Sequence, residues 1–342
     1  MTAWTDHLAR LGARLDGNAL AFDDPATEAR LVDDVTIAVP LLNLGLIRSV
    51  GPDSAPFLHN LVSNEVLKLA ADAACWNSFN SPKGRMLTNF LLWPEAEGHA
   101  LMMSAELVPA MTKKFSMYVL RSKTRVSDAS ADTALVGLAG PEAAGVLERA
   151  GLPLPDAPMK QAGDAGRRCI RIGDDAFVLA LAADQAAEVY AALLDAGAAR
   201  AGTAAWQLKM IRAGVPLLSP ATQEEFVAQM VNYDLIGGVS FTKGCYPGQE
   251  IVARTRYLGK LKKRMYRVAI PAGAAPEVGT DVFAPAFGEQ SAGKLVNVAP
   301  AADGGFEALA VLQIAAAEAG DLQLGRPAGA ALRVLPLPYP LA

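Results

Sequence analysis

At 342 residues, with 52% hydrophobic and 19% charged residues, the chain is too long for one simple core and too apolar for disorder, so two or three packed domains are expected. Its 31 Lys+Arg against 35 Asp+Glu make it mildly acidic, with a formal net charge of −4. The opening MTAWTDHLARLGARLDG carries Asp6, His7, Arg10 and Arg14 and lacks the apolar region of a secretory signal; no apolar run reaches the length of a membrane span. Three scattered cysteines, Cys75, Cys169 and Cys245, argue against a disulfide framework and fit a reducing cytoplasm. Together with His7, His59 and His99 they show no ligand spacing, so no self-contained zinc or iron–sulfur site is expected. A cluster shared with another protein escapes that argument.

In chain order, RSVGPDSAPFLHNL from Arg48 and VGLAGPEAAGVLERA from Val136 form a faint internal repeat. Each reads as a strand ending in Gly-Pro and opening a helix, with Pro52 and Pro141 in the first turn and Asp53 and Glu142 at the positive end of the dipole. Two related α+β subdomains follow from that reading. Between the copies, Ala100 to Met103 is a predicted strand, Glu106 to Tyr118 a helix and Val119 to Val126 a strand. Beyond the second copy, a hairpin is predicted from Arg168 to Ile172 and Ala176 to Ala180 around Gly173. A helix follows from Asp184 to Leu194, and Trp206 to Ala213 is a helix or strand broken by Gly214 and Pro216. From Met265 onward, MYRVAI, TDVFA, GKLVNV, EALAVLQI and ALRVLPL alternate with Gly, Pro and Asp turns, the texture of a small β-barrel. The divisions adopted are 1–135, 136–258 and 259–342.

One segment departs from its surroundings. FTKGCYPGQEIVARTRYLGKLKKRMYRV, from Phe241 to Val268, holds eight of the 31 basic residues and one of the 35 acids. Its glycine-rich head, Lys243-Gly244-Cys245-Tyr246-Pro247-Gly248-Gln249-Glu250, leads into a predicted helix with Gly248 as N-cap and an end at Gly259. Cys245 then lies just before a helix N-terminus and close to Lys243, both of which favour a thiolate; the alternative is a small buried residue beneath the loop. The cations after it, Arg254, Arg256, Lys260, Lys262, Lys263 and Arg264, read either as an anion- or client-binding surface or as a solvated face. Tyr257 and Tyr266 are potential stacking partners for a base.

The string KGCYPGQE followed by IVAR resembles the signature of the YgfZ family. EFVAQMVNYDLIGGVSF, SPKGRMLTNF, LRSKTRV, AWQLKMIRAGVP and the terminal PLPYPL fall in that family's order, so the resemblance covers nearly the whole chain. It implies folate-binding proteins tied to iron–sulfur cluster maintenance and, through it, to tRNA modification. The implied fold is that of the glycine cleavage system aminomethyltransferase, the T-protein: an α+β three-domain ring with two related α+β subdomains and a C-terminal β-barrel.

The same resemblance implies tetrahydrofolate as cofactor, with Trp206 against it, and Leu44 where a second tryptophan would align. It makes the signature Lys243, Gly244, Cys245, Tyr246, Gly248, Gln249 and Glu250 the distinctive site, with Cys245 as its thiol. Iron–sulfur client or assembly proteins are the implied partners. Two departures from the T-protein bear on mechanism. Its folate-orienting carboxylate would fall near Thr88 or Asn89, and its pterin-binding glutamate at Arg212. The expected function is therefore a folate-binding accessory protein for cluster assembly or repair. A folate-dependent one-carbon transferase and a tRNA-binding protein are the alternatives.

Overall fold

The computed structural model describes residues 3–257, 259 and 261–341. The chain forms two compact units, each drawn from three segments. The first comprises 1–58, 66–75 and 90–206, and the second 59–65, 76–89 and 207–342.

A six-stranded sheet in the first unit runs in the order Gln161–Gly163, Arg167–Arg171, Ala176–Ala182, Thr133–Ala139, Ile37–Pro40 and Ala199–Arg200. All its pairs are antiparallel except the last. The predicted hairpin is present, with Cys169 opposite Leu179. Alternate positions of the central strand, Val136 and Leu138, join Phe177, Leu179 and Leu181 to make a buried face. Helices Ala143–Arg149 and Ala186–Asp195 close it with Val146, Leu147, Val189 and Leu193. Trp4 packs edge-on against Tyr190 at 5.6 Å. Cys169 is buried in this core, where desolvation drives its thiol pKa far up.

A five-stranded sheet runs in the order Cys75–Asn80, Met86–Glu95, Gly98–Ser104, Leu44–Val50 and Arg125–Asp128. Helix Val108–Val119 buries Val108, Met111 and Phe115, an i, i+3, i+7 stripe. The strand expected from Val119 begins only at Arg125. Leu120 adopts φ 44° and ψ −101°, and this left-handed turn ends the helix where β propensity alone suggests continuation.

The internal repeat has a backbone counterpart. Gly51 and Gly140 have φ of +134° and +133°, and in both copies the helix starts three residues later, at Ser54 and Ala143. The prolines therefore lie in the turn ahead of the helix rather than inside it. A Cβ on Gly51 would stand 2.3 Å from the Lys123 carbonyl oxygen, and one on Gly140 would stand 2.6 Å from that of Val35. Close backbone approach thus requires glycine at both copies.

In the second unit the predicted C-terminal barrel is closed. Its order is Lys263–Ile270, Phe306–Gln313, Gly293–Pro300, Asp281–Phe283, Leu322–Leu324 and Ala331–Leu335. Inward residues Val268, Ile270, Val282, Leu295, Ala308, Ala310 and Leu312 fill it. A bulge between Leu295 and Asn297 frees the Asn297 amide to bracket Leu217, accepting from its N–H at 3.0 Å and donating to its carbonyl at 2.8 Å.

Gly140→Ala should lower stability by about 2–4 kcal/mol, the sum of a disfavoured φ and a backbone clash. Gly151→Ala, at φ +64° with open space around the added methyl, should cost about 1 kcal/mol. Urea unfolding of both variants checks the difference, and equal losses would show that the close approach at Gly140 carries no energy.

Candidate functional site

Lys243 is 7% exposed although it belongs to the most basic stretch of the chain. Its ammonium donates to the main-chain carbonyls of His59, of Val62 at 2.5 Å and of Asn64 at 3.2 Å. Three N–H bonds thus meet three acceptors, which offsets the cost of taking the charge out of water. The Tyr246 ring lies 5.0 Å from the same nitrogen. Burial pushes the Tyr246 hydroxyl pKa up to about 12, so the ring meets the cation as a neutral phenol. Ser240 Oγ accepts from the N–H of Lys243 at 3.2 Å and shapes the approach to the loop. Lys243 thereby pins the head of the loop: its ammonium is hydrogen-bonded to the carbonyls of His59, Val62 and Asn64.

The far end of the signature is fixed by a glycine pair. Gly248 has φ +78°, and a Cβ on it would stand 2.6 Å from both the Gly84 Cα and the Ser81 carbonyl oxygen. A Cβ on Gly84, at φ +71°, would meet the Ile251 side chain at 2.8 Å. The Ser81–Arg85 turn and the head of helix Gln249–Tyr257 therefore touch backbone to backbone. Gly248 serves this approach as well as preceding the helix. Gln229 Nε2 donates to the Val252 carbonyl at 2.6 Å, and Val252 is buried. Between these two anchors Cys245 is exposed, whereas Cys75 is half-buried and Cys169 buried. Gln249 and Glu250 open the helix, and Gly244 adjoins His59.

The basic run divides sharply. Arg264 is buried. It makes a two-point pair with Asp234 at 2.7 and 3.1 Å and donates to the Gln229 carbonyl at 2.8 Å. Its assignment to an anion- or client-binding surface is therefore withdrawn: strand Lys263–Ile270 turns it inward. Arg267 shares Glu307 with Arg212, at 2.8 Å and 2.9 Å respectively. Tyr266 is half-buried against the barrel core rather than an open stacking platform. Arg254, Arg256 and Lys262 are exposed, Lys263 is half-buried, and Lys260 lies outside the described residues. The Arg256 guanidinium sits 4.2 Å over Phe241 and 5.9 Å from the Tyr257 ring.

Trp206 and Arg212 lie on helix Thr203–Arg212. Trp206 is 3% exposed and lies so closely on Gly137 that a Cβ there would be 2.4 Å from the nearest ring carbon. The absent side chain at 137 is what admits the indole. Asn89 spends both ends of its amide on the backbone, donating to the Pro216 carbonyl at 2.7 Å and accepting from the Leu218 N–H at 2.9 Å.

Two further polar groups were not singled out from the sequence. The Asn80 side-chain amide nitrogen and the Ser81 hydroxyl are buried without a hydrogen-bond partner. Asn80 ends strand Cys75–Asn80, and Ser81 opens the turn that meets Gly248. Nothing in a run of small polar residues marks them before the backbone contact is known. Among the described residues, no group of three or more His, Cys, Asp or Glu is arranged to hold a metal ion.

A family model for the GCVT N-terminal domain matches residues 18–234. The tRNA-modifying protein YgfZ of Photobacterium profundum is 31% identical over 334 residues, covering 96% of this chain and 98% of its own. That of Yersinia enterocolitica is 29% identical over 329 residues, covering 94% and 99%. Among solved structures, the glycine cleavage system aminomethyltransferase T from Bartonella henselae matches with a TM-score of 0.80. It is 17% identical and the match covers 99% of this chain and 97% of that one, a likeness of fold. With the signature loop, the closed barrel and near-complete coverage in agreement, the chain belongs to the YgfZ family and carries a GCVT N-terminal domain.

Proposed function

We propose that this protein is a tetrahydrofolate-binding accessory factor that assists assembly or repair of iron–sulfur clusters on client enzymes, and supports tRNA modification through those clients. The observation that carries this reading is the exposed Cys245, held in a loop anchored at one end by the Lys243 ammonium and at the other by the Gly84–Gly248 contact. A fixed, accessible sulfur suits contact with a cluster or a transient adduct. The cluster is cargo here, and it needs no resident ligand set. Arg254, Arg256 and Lys262 are exposed cations that a client or a folate polyglutamate tail could meet. Three free cysteines fit work in a reducing cytoplasm. Among the described residues no helix is long and apolar enough to cross a membrane.

The fit of a folate is supported by the Asn80 amide and the Ser81 hydroxyl. A buried donor left without an acceptor is costly, and the carbonyl and ring nitrogens of a pterin are acceptors of the required kind. These two residues would hold its polar edge. When bound, a reduced folate supplies an electron-rich pterin able to carry a one-carbon unit. The chain's own residues favour the accessory role over transfer of that unit. Asn89 is engaged in bracketing Pro216 and Leu218, and Arg212 in an ion pair with Glu307. Neither supplies the acid expected of an aminomethyltransferase, and both are bound into the fold.

Four outcomes test this reading. Cys245→Ser should fold as the parent does, since the site is exposed, yet fail to restore iron–sulfur enzyme activity in a strain lacking the gene; full restoration would sink the thiol role. Tetrahydrofolate should bind with a Kd of about 1–100 µM by calorimetry. Ser81→Ala should weaken that binding by roughly tenfold while leaving stability unchanged or higher by about 1 kcal/mol, because it deletes an unsatisfied buried group; unchanged affinity would remove Ser81 from the site. Asn89→Asp should lower stability by about 1–3 kcal/mol in urea unfolding, because a carboxylate cannot donate to the Pro216 carbonyl, and it should gain no aminomethyl transfer activity.

A further inference from the structure

At the end of helix Val108–Val119 the chain reverses in a four-residue turn closed by the Ser122 N–H donating to the Val119 carbonyl at 2.8 Å. Leu120 fills its second position at φ 44° and ψ −101°. Those angles belong to the type II′ turn, where glycine is the usual occupant because a Cβ is strained there. Leu120 is nonetheless a leucine, and it is 88% exposed. The turn is braced from behind. The Lys123 N–H donates to Asp53 Oδ2 at 2.6 Å, and the Asp53 N–H donates to the Lys123 carbonyl at 3.3 Å. A rigid turn thus holds a large apolar side chain out into solvent, against both backbone preference and hydrophobicity. Local rules broken without a packing gain inside the chain point to a gain outside it.

The surroundings define what would supply that gain. Met117 is 69% exposed and Tyr118 42%, so three large apolar side chains cluster at one corner of the first unit. A single exposed apolar residue would need no explanation, but a cluster does. A shallow depression lined by Asp53, Tyr118, Val119, Leu120, Arg121 and Ser122 lies beside them. Lys113, Arg121, Lys123 and Arg125 are exposed around the corner, a cationic island on a chain of net charge −4. Lys113 lies one helical turn before Met117, on the same face.

We infer that this corner is a docking site for an acidic segment of a partner protein, one apolar side chain of which seats against Leu120 in the depression while its carboxylates meet the four cations. Charge complementarity selects an acidic partner and the apolar corner selects a hydrophobic anchor within it. The turn, braced by the Asp53–Lys123 contacts, presents one fixed side chain above a shallow depression, which suits a single anchor residue of a protein better than an anionic lipid surface. This inference stands independently of the folate and thiol reading, since it uses none of those residues.

The test uses the full-length protein and a fluorescently labelled synthetic peptide of Asp and Glu residues flanking a central Leu-Phe pair. A matched peptide carries Ser-Ser at the centre, and phosphatidylserine vesicles form a third probe. The Leu-Phe peptide should bind in fluorescence anisotropy, at least tenfold more tightly than the Ser-Ser peptide, and weaken as salt rises from about 50 to about 500 mM. Leu120→Gly should reduce its affinity at least tenfold while raising the melting temperature by roughly 1–3 °C, because glycine relieves the turn. The double variant Arg121→Glu, Lys123→Glu should also lose binding. Retained affinity in Leu120→Gly, equal binding of the two peptides, binding of vesicles alone, or binding of no probe would each overturn the proposal.

Discussion

An ammonium group removed from water without partners costs several kcal/mol, and Lys243 avoids that cost by directing its three N–H bonds onto the carbonyls of His59, Val62 and Asn64. Those carbonyls belong to a stretch that turns rather than runs in a ladder, so their own backbone demands are met by this side chain. The same contact fixes the start of the signature loop. Tyr246 packs beside the ammonium, and the chain then reaches Gly248, where backbone contact with Gly84 leaves no room for a side chain. Cys245 lies between these two anchors, so the exposed sulfur is positioned by residues whose side chains are hidden or absent. The geometry makes this lysine a peg for the loop.

The other conspicuous charges follow the same economy. Glu307 accepts from Arg212 and Arg267, and Asp234 accepts from Arg264 at two points. Breaking such a buried pair is costly because the remaining charge stays in place, even where the pair itself contributes little. The segment from Phe241 to Val268 is therefore two things at once. Its strand half uses arginines to tie the barrel to the rest of the second unit, and its helix half presents Arg254 and Arg256 to solvent. Composition alone cannot separate these halves, since a buried arginine and an exposed one are the same letter.

What was legible in the sequence depended on short-range physics. The barrel strands could be read because alternation of apolar residues is local, and the repeat because Gly-Pro before a helix is local. The hairpin around Gly173 and the helix ending near Leu194 could be read for the same reason. Arg264 could not be placed, because its partner Asp234 is thirty residues earlier and only the fold brings them together. The bracket that Asn89 makes with Pro216 and Leu218 spans well over a hundred residues. Trp206 needed Gly137, a residue whose importance lies in having no side chain. The orphaned hydroxyl of Ser81 was invisible because absence of a partner is a property of surroundings.

Positive φ angles separate structural need from functional choice. At Gly51, Gly140 and Gly248 a neighbouring backbone stands where a Cβ would lie, and the chain places glycine at each. At Leu120 the backbone also enters the region that favours glycine, yet the position carries a branched apolar residue pointing into solvent. Steric exclusion explains the first three, since any side chain would displace the backbone it meets. It cannot explain the fourth, because removing the Leu120 side chain would relax the turn and expose no core. At those three glycines the angle marks what the fold requires, and at Leu120 the retained side chain is what the proposed docking corner would use.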